Sequence, residues 1–164
     1  FAILLADDLI DSSIPCLKQM LMVHEKKKNS VIAVQSIDPQ LSDQYGIIAY
    51  KSKKERLSQI DSIIEKPTPQ EAPSNLAVVG RYILTPSIFP YLAKTPAGKN
   101  GEIQLTDAIA CLLSYEPIHA WEFSGTRYDC GSKLGYLQAT IAYALKHPET
   151  KVTFRDYLKA LKIE

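Results

Sequence analysis

The chain has 164 residues, of which 46% are hydrophobic and 23% charged, and its 19 lysines and arginines against 18 aspartates and glutamates give a net charge of +1. A chain of this length buries about two-thirds of its unfolded surface, so residues 1–164 are predicted to form one globular domain. The near-zero charge argues against a nucleic-acid partner, which calls for a basic surplus. No apolar run approaches the roughly 20 residues that span a bilayer, so no membrane partner is expected.

The three cysteines indicate a reducing environment. Cys16, Cys111 and Cys130 are odd in number and far apart, and none forms a C-x-x-C pair. This pattern favours neither a disulfide framework nor a zinc site. We therefore expect a cytoplasmic protein.

The first part of the chain predicts a β-α-β unit. Phe1–Ala6 is an apolar run typical of a buried strand, and a strand of that kind usually has neighbours on both sides in a parallel sheet. Apolar residues at helical spacing follow Pro15 and end near Asn29. The β-branched segment Val31–Ile37 is the next predicted strand, and the unit implies a parallel crossover.

The middle of the chain predicts a hairpin followed by an irregular segment. Ile47–Tyr50 and Ile60–Ile64 have the composition of two antiparallel strands. Lys66–Asn75 contains three prolines, which favours a loop over the surface. Leu76–Leu84 is the next predicted strand.

The rest of the chain alternates between helical and extended patterns. The predicted elements are a short helix at Pro86–Ala93, a loop at Thr95–Gly101, a helix at Leu105–Leu113, a strand at Ile118–Phe123, a turn at Ser124–Tyr128, and helices at Lys133–Lys146 and Thr153–Leu161. The pattern predicts helices covering a mostly parallel sheet, with functional groups at the carboxyl ends of its strands.

Two aspartates occupy such strand ends. Asp7 follows the first predicted strand, and Asp129 lies between a strand and a helix. Carboxylates at two strand ends suit Mg²⁺, which takes oxygen ligands and retains substrate phosphates. The alternative is that each aspartate caps a helix or lies in a solvated turn. Because neighbouring side chains of an extended segment face opposite ways, Asp7 and its neighbour Asp8 are not expected to share a ligand.

The dipeptide Glu65-Lys66 ends the second strand of the hairpin, and Pro67 stops that strand. A carboxylate can accept hydrogen bonds from sugar hydroxyls, and an ammonium group can neutralise a phosphate. The alternative is an ordinary solvated face. Gly46 and Gly80 interrupt strand-like runs, which marks either a bulge or a close approach between backbone and ligand.

Nucleophilic catalysis is not indicated. Cys130 lies beside Asp129, but His24, His119 and His147 fit a helix face, a strand and a helix end better than a catalytic triad. The basic run 26–28 fits the last turn of a helix, where it complements the helix dipole.

Several motifs occur in a fixed order along the chain. They are FAILLADD from Phe1, YGII from Tyr45, IEKP from Ile64, APSNLAVVGRY from Ala72, GEIQLTD from Gly101 and DCGSKLGY from Asp129. Together they resemble the bacterial UTP–glucose-1-phosphate uridylyltransferases, also called UDP-glucose pyrophosphorylases. The resemblance extends from Phe1 to about Phe154.

The resemblance implies an α/β fold of three layers, the Rossmann-like nucleotide-diphospho-sugar transferase fold with a mixed, mostly parallel sheet. It implies transfer of a uridylyl group from UTP to glucose 1-phosphate, giving UDP-glucose and pyrophosphate. By the family pattern, Asp7 and Asp129 hold Mg²⁺ and Lys66 meets the sugar phosphate. Glu65 accepts sugar hydroxyls, and Gly46 and Gly80 present backbone to the glucose. A further family motif includes Glu102, Gln104 and Asp107, and the resemblance implies that they line the pocket wall or have a structural role.

One family motif does not occur in these residues. The family carries an N-terminal loop of the form Gly-x-Gly-Thr-Arg, and no two of the seven glycines here are spaced as Gly-x-Gly. The chain is therefore expected to be the C-terminal part of such an enzyme, holding the sugar site and metal ligands, and to be inactive alone.

Three other functions are compared with this one. A thymidylyl- or adenylyltransferase for the same sugar phosphate differs in base choice, which lies largely outside this segment. A non-catalytic sugar-nucleotide-binding domain would keep the fold without the chemistry. A dinucleotide-binding oxidoreductase is excluded because no Gly-x-Gly-x-x-Gly loop is present. The full-length protein is expected to form a homo-oligomer through its last two helices.

Overall fold

The computed structural model describes residues 1–98 and 101–162. Its strands are β1 (Ala2–Leu4), β2 (Asp8–Asp11), β3 (Val31–Ser36), β4 (Gly46–Lys54), β5 (Leu57–Glu65), β6 (Leu76–Ile83), β7 (His119–Glu122) and β8 (Thr126–Asp129). Its α-helices are α1 (Cys16–Lys27), α2 (Phe89–Leu92), α3 (Leu105–Leu112), α4 (Lys133–Ala144) and α5 (Lys151–Ala160). Short 3₁₀ helices lie at Pro39–Gln44 and Pro86–Ile88. Part of the predicted 95–101 loop, residues 99 and 100, lies outside the described residues.

A six-stranded sheet in the order β1-β6-β3-β7-β5-β4 forms the centre of the fold. The alternating side chains of β3 show which helices cover the two faces of this sheet. Val31 and Ala33 pack in the apolar cluster that contains Met20 of α1, whereas Ile32 and Val34 pack in the cluster that contains Ile109 of α3. Because successive side chains of a strand face opposite ways, α1 and α3 cover opposite faces. The fold therefore has three layers, as predicted.

The sheet is mixed, and the predicted α/β class is confirmed. Among the described strands, however, only β3 and β7 pair in parallel, while the other pairings of the sheet are antiparallel. The prediction of a mostly parallel sheet is therefore wrong for this part of the chain. The reason is connectivity, since the β4–β5 hairpin must be antiparallel and β6 runs back between β1 and β3.

The first strand differs from its prediction in burial. β1 and β3 are both antiparallel to β6, so they run in the same direction with β6 between them. Within the described residues β1 pairs only with β6. Ile3 packs against the main apolar cluster, but Leu4 and the flanking residues Phe1 and Leu5 are 52%, 49% and 45% exposed. The predicted burial of Phe1–Ala6 is wrong for this structure.

A second, two-stranded ribbon lies beside the main sheet. Its strands β2 and β8 are antiparallel, with Asp8 opposite Asp129 and Asp11 opposite Thr126. The predicted turn at Ser124–Tyr128 is shorter than expected because β8 already begins at Thr126. Gly125, at φ 144°, makes the turn, and this ribbon sets the position of the site described next.

None of the helices in the described part of the chain is both long enough and apolar enough to cross a membrane.

Candidate active site

A cleft of about 390 Å³ lies between the β2–β8 ribbon, the start of β4, the end of β5, the middle of β6 and the start of α3. All six residues that were predicted to bind the metal or the sugar phosphate line it: Asp7, Gly46, Glu65, Lys66, Gly80 and Asp129. They come from distant parts of the chain, and the fold brings them to one place.

Asp7 and Asp129 face each other across Gly131. A Cβ added at Gly131 would lie 3.2 Å from Asp7 Oδ2 and 3.2 Å from Asp129 Oδ1, so both carboxylates border the same space. The Cys130 N–H donates to the Asp7 carbonyl over 2.7 Å, and the Gly131 N–H donates to Asp129 Oδ1 over 3.1 Å. These backbone contacts fix the separation of the two acids.

Neither aspartate caps a helix, which was one part of the alternative, whereas the other part, a position in a solvated turn, does apply to the exposed turn residue Asp7. The side chain that caps α4 is Ser132, whose Oγ accepts from the Gly135 N–H over 3.0 Å. Helix α1 begins after Pro15 with no side-chain cap. The two carboxylates are thus not engaged in helix capping.

The neighbouring acid, Asp8, has a different environment from Asp7. Asp8 is buried and forms an ion pair with Arg127, and the two side chains are 6% and 9% exposed. Its other oxygen, Oδ2, accepts from the Gly80 N–H over 2.8 Å. As expected from strand alternation, Asp7 is exposed while Asp8 is buried. The charge of Asp8 is therefore neutralised within the protein.

Arg127 connects three parts of the cleft. Its guanidinium lies 5.1 Å from the centre of the Tyr45 ring and donates to the Tyr45 hydroxyl over 3.3 Å. It also lies 3.6 Å from Asp129 Oδ2. Burial opposes the charge of Arg127, but the hydrogen bonds to Tyr45 and Asp8 and the charge of Asp8 raise its pKa above the ordinary value. Arg127 thus remains charged and holds Asp8, Tyr45 and Asp129 together.

Sequence reasoning missed Arg127, Tyr45 and Asp8 as parts of the site. One signal was available, because Arg127 and Asp129 are two residues apart on a strand and so share a face. Tyr45 gave no signal of its own beyond its position before Gly46.

Glu65 is held by a residue from another element. The Thr106 hydroxyl donates to Glu65 Oε2 over 2.6 Å. Gly46 is opposite Glu65 in the β4–β5 ladder, and a Cβ at Gly46 would lie 3.3 Å from the same oxygen. The glycine therefore leaves space for the carboxylate, and Thr106 fixes its direction. Sequence reasoning also missed Thr106.

Lys66 adopts an unusual backbone conformation. Its φ is 47°, in the left-handed region, and its N–H donates to the Tyr45 carbonyl over 3.0 Å. The side chain is exposed and forms no ion pair within residues 1–98 and 101–162. An ammonium group lining the cleft is thus available to an anionic ligand.

Two glycines allow unusually close packing around the acids. A Cβ at Gly80 would lie 2.6 Å from Asp8 Oδ2 and 2.6 Å from the Cβ of Leu5. A Cβ at Gly135, near the start of α4, would lie 1.9 Å from the carbonyl oxygen of Asp129. Gly80 therefore makes room for the buried acid, and Gly135 lets α4 approach the backbone of Asp129.

The phenol of Tyr82 completes the inner wall of the cleft. Burial raises its pKa to about 12, with smaller contributions from the charges of Glu65 and Asp8. Tyr82 is therefore a neutral hydroxyl at physiological pH. Of the three residues predicted for the pocket wall, Gln104 lines the cleft, whereas Asp107 lines a separate cavity beside α2 and Glu102 lines neither.

The charges of the cleft do not balance. Four carboxylates line it, of Asp7, Asp8, Glu65 and Asp129, against the two cations Lys66 and Arg127. Arg127 is shared between Asp8 and Asp129, and Asp7 forms no ion pair within residues 1–98 and 101–162, so the cleft carries a net negative charge. No group of three or more metal-binding side chains occurs among the described residues. Two carboxylates are nevertheless sufficient for Mg²⁺, which completes its shell with water and substrate phosphates.

Comparisons with known proteins agree on one family. A family profile described as nucleotidyl transferase matches residues 1–145. A UTP–glucose-1-phosphate uridylyltransferase of Staphylococcus haemolyticus is 46% identical over 161 residues, 98% of this chain and 56% of the relative. The chain thus spans little more than half the length of that relative.

Solved structures agree with this family. A UDP-glucose pyrophosphorylase complexed with UDP-glucose is 44% identical, has a TM-score of 0.85, and matches over 90% of this chain and 56% of that one. A UTP-bound UGPase from Acinetobacter baumannii is 38% identical, has a TM-score of 0.88, and matches over 99% and 56%. These matches confirm the resemblance that the order of the motifs predicted.

Proposed function

This chain belongs to the nucleotidyl transferase family, and from that premise we propose that the protein is a UTP–glucose-1-phosphate uridylyltransferase. It transfers the uridylyl group of UTP to glucose 1-phosphate and releases UDP-glucose and pyrophosphate. The observation that carries the proposal is the cleft in which two facing aspartates meet the Glu65-Lys66 pair. Relatives named for this activity support it. Because the chain spans 56% of such a relative, turnover is proposed for the whole protein.

We propose that Asp7 and Asp129 hold a divalent cation, Mg²⁺. The two carboxylates border one space, and neither caps a helix. A divalent ion bound there supplies neutralising charge for phosphate oxygens. The protein positions the acids through the backbone N–H groups of Cys130 and Gly131, and Arg127 steadies Asp129 from the other side.

The sugar phosphate is proposed to lie against Glu65 and Lys66. Thr106 occupies one oxygen of Glu65, which leaves the other free to accept from sugar hydroxyls. The unpaired ammonium group of Lys66 meets the phosphate as a point charge. Gly46 gives the ligand access beside Glu65, and Gly80 is proposed to offer backbone to the glucose, although its N–H already donates to Asp8.

The chemistry follows from this placement. An oxygen of the sugar phosphate attacks the α-phosphorus of UTP in line, the bond from the α-phosphorus to the bridging oxygen breaks, and pyrophosphate leaves. This chain needs no nucleophilic side chain, because the attacking oxygen belongs to the substrate. Its contribution is orientation and charge neutralisation, as in phosphoryl transfer generally.

We also propose an oligomeric state and a cellular compartment for the protein. Apolar side chains on α4 and α5 are exposed, with Leu134, Leu137, Val152 and Tyr157 between 57% and 66%. This surface supports a homo-oligomer of the full-length protein. All three cysteines are free thiols, which supports the cytoplasm as its compartment.

The decisive experiment measures pyrophosphate release by the whole protein from UTP and glucose 1-phosphate, with and without Mg²⁺. Asp7→Asn and Asp129→Asn should each lower kcat by about 10²–10³-fold, as expected for loss of an electrostatic group at the reacting phosphate. The matched control is Asp43→Asn, an exposed acid that does not line the cleft, and it should have wild-type turnover. Absence of pyrophosphate release by the whole protein would support a non-catalytic binding domain instead. Unchanged turnover in both cleft variants would contradict the metal-binding role proposed for Asp7 and Asp129. A panel of UTP, dTTP and ATP separates the uridylyl from the thymidylyl and adenylyl activities.

A further inference from the structure

A second cavity, of about 510 Å³, lies between α1, the turn of the β4–β5 hairpin and β7. We call it the α1 groove. It shares no lining residue with the cleft within the described residues. Its volume lies in the range of small-molecule sites, about 300–1,000 Å³. The proposed transfer reaction does not use it.

The floor of the α1 groove is apolar. It is made by Met22 and Val23 of α1, Leu57 of β5 and Trp121 of β7. Met22 lies outside the buried face of α1 and is 50% exposed. The groove therefore leaves apolar surface open to solvent, and covering it with an apolar ligand is favourable.

One wall of the groove is held rigidly by Gln19, which is 7% exposed. Its Nε2 donates to the carbonyls of Ile14 and Ser124 over 2.7 and 2.9 Å. Its Oε1 accepts from the Ser124 N–H over 2.8 Å and from the Trp121 indole N–H over 3.2 Å. The groove is thus formed before any ligand arrives, and its buried polar groups have partners within the protein.

The rim of the groove is basic. Lys26 and Lys27 are in the last turn of α1, Lys54 ends β4, and Glu55 is the acid that lines the groove beside them. None of the three lysines forms an ion pair with a residue in 1–98 or 101–162. Their neighbours do, since Lys53 pairs with Glu122 over 3.0 Å and Lys51 pairs with Asp61 over 3.4 Å. Unpaired positive charge is therefore concentrated at the groove.

We infer that the α1 groove binds a small amphiphilic anion, a molecule with a flat apolar body and a negatively charged head. The body covers Met22, Val23, Leu57 and Trp121, and the head lies between Lys27 and Lys54. The charge of the rim complements the head, and the floor offers four apolar side chains to the body. The site is a concave groove of small-molecule size, so the ligand is a free molecule and not a membrane surface.

Two fluorescent probes that differ only in charge test this site. They are 8-anilinonaphthalene-1-sulfonate and N-phenyl-1-naphthylamine, which has the same aromatic body without the sulfonate. Trp121 is the only tryptophan in these 164 residues, and it can transfer excitation energy to a probe beside it. The signal from the whole protein minus that from its Trp121→Phe variant isolates the groove. The sulfonate is expected to bind at one saturable site with energy transfer from Trp121.

Variants that each remove one positive charge test whether the lysines of the rim bind the sulfonate. Lys27→Gln and Lys54→Gln should each weaken binding of the sulfonate about 1.5- to fivefold, the range for a single exposed ion pair. The uncharged probe should bind the variants and the wild type equally. Lys18→Gln is the matched control, since Lys18 is an exposed lysine on the same helix that does not line the groove. It should bind both probes as the wild type does.

Three results would overturn the inference. The first is the absence of saturable binding, and the second is a loss of the same size in Lys18→Gln. The third is that Trp121 reaches the probe only after an oligomer dissociates, observed by size-exclusion chromatography, which would show that a second copy covers the groove. Pyrophosphate release should be unchanged in Lys27→Gln and Lys54→Gln, so failure of this inference is distinguishable from failure of the proposed transferase activity.

Discussion

The proposed active-site cleft and the α1 groove are similar in size, about 390 and 510 Å³, but they are built in opposite ways. In the cleft, charged groups are held by partners from other elements, as Asp8 is by Arg127 and Glu65 is by Thr106. In the groove, Lys26, Lys27 and Lys54 form no ion pair within residues 1–98 and 101–162, and they extend from a helix end and a hairpin.

This difference indicates two kinds of recognition. Polar groups fixed from several sides select one geometry, which a reaction with in-line attack requires. An apolar floor with mobile charges on its rim selects a chemical class, because neither the hydrophobic effect nor a flexible ammonium group is strongly directional. The following predictions test this contrast, beginning with the largest expected effect.

Arg127→Gln is expected to show the largest difference in stability between a cleft variant and a groove variant. It leaves the buried carboxylate of Asp8 without its counterion, and breaking a buried pair from one side costs about 3–5 kcal/mol of unfolding free energy. Lys27→Gln, at the unpaired rim of the groove, should change the unfolding free energy by at most about 0.5 kcal/mol. Urea unfolding followed by circular dichroism measures both.

A second variant shows whether the cost comes from the unpaired charge. The double variant Asp8→Asn, Arg127→Gln removes both charges and should recover a large part of the stability lost in Arg127→Gln. Equal losses in Arg127→Gln and Lys27→Gln would remove the contrast between the cleft and the groove.

Gly135→Ala tests how closely the cleft is packed. In a helix, replacing glycine by alanine ordinarily stabilises by up to about 1 kcal/mol. Here the new Cβ would lie 1.9 Å from the carbonyl oxygen of Asp129, so α4 and Asp129 must move apart. We expect a loss of about 1–3 kcal/mol together with lower turnover. Gly98→Ala, where the nearest atom would be 3.4 Å away, is the control, and a stabilised Gly135→Ala variant would contradict the close packing.

The smallest expected effect on stability concerns His119, which lies on the same strand, β7, as Trp121 of the groove. Burial, and then the charge of Lys27, lower its pKa, and its Nδ1 has no hydrogen-bond partner in the described residues. As the pH falls below about 6.5, the unfolded chain takes up this proton before the folded chain does, so stability decreases. His119→Gln should flatten the acid side of the stability curve, and Lys27→Gln should flatten it in part, because the pKa of His119 is then lowered less. A curve unchanged in His119→Gln would show that other groups cause the acid dependence.

The sequence predicted the parts of the molecule that depend on local pattern. Helix α1 was found from apolar spacing, the β4–β5 hairpin from β-branched runs, and the chemistry-bearing residues Asp7, Glu65, Lys66 and Asp129 from their positions after strands. The same patterns carried the family resemblance, because the motifs contain these residues in order.

What the sequence did not predict depends on long-range contact. The ion pair between Asp8 and Arg127 joins residues 119 positions apart, and Thr106 reaches Glu65 across 41 positions. No local pattern encodes such a distance. The pairing direction of β6 was missed for the same reason, since an apolar strand fits a parallel or an antiparallel neighbour equally well.

The backbone of Lys66 has a consequence for attempts to engineer this protein. A residue with a side chain in the left-handed region costs roughly 1–2 kcal/mol, and Pro67 restricts Lys66 further. A screen that selects only for heat resistance will therefore favour glycine at this position, which relaxes the backbone and deletes the ammonium group in one step. At residue 66, selection for stability therefore opposes the phosphate binding that we propose for the Lys66 side chain.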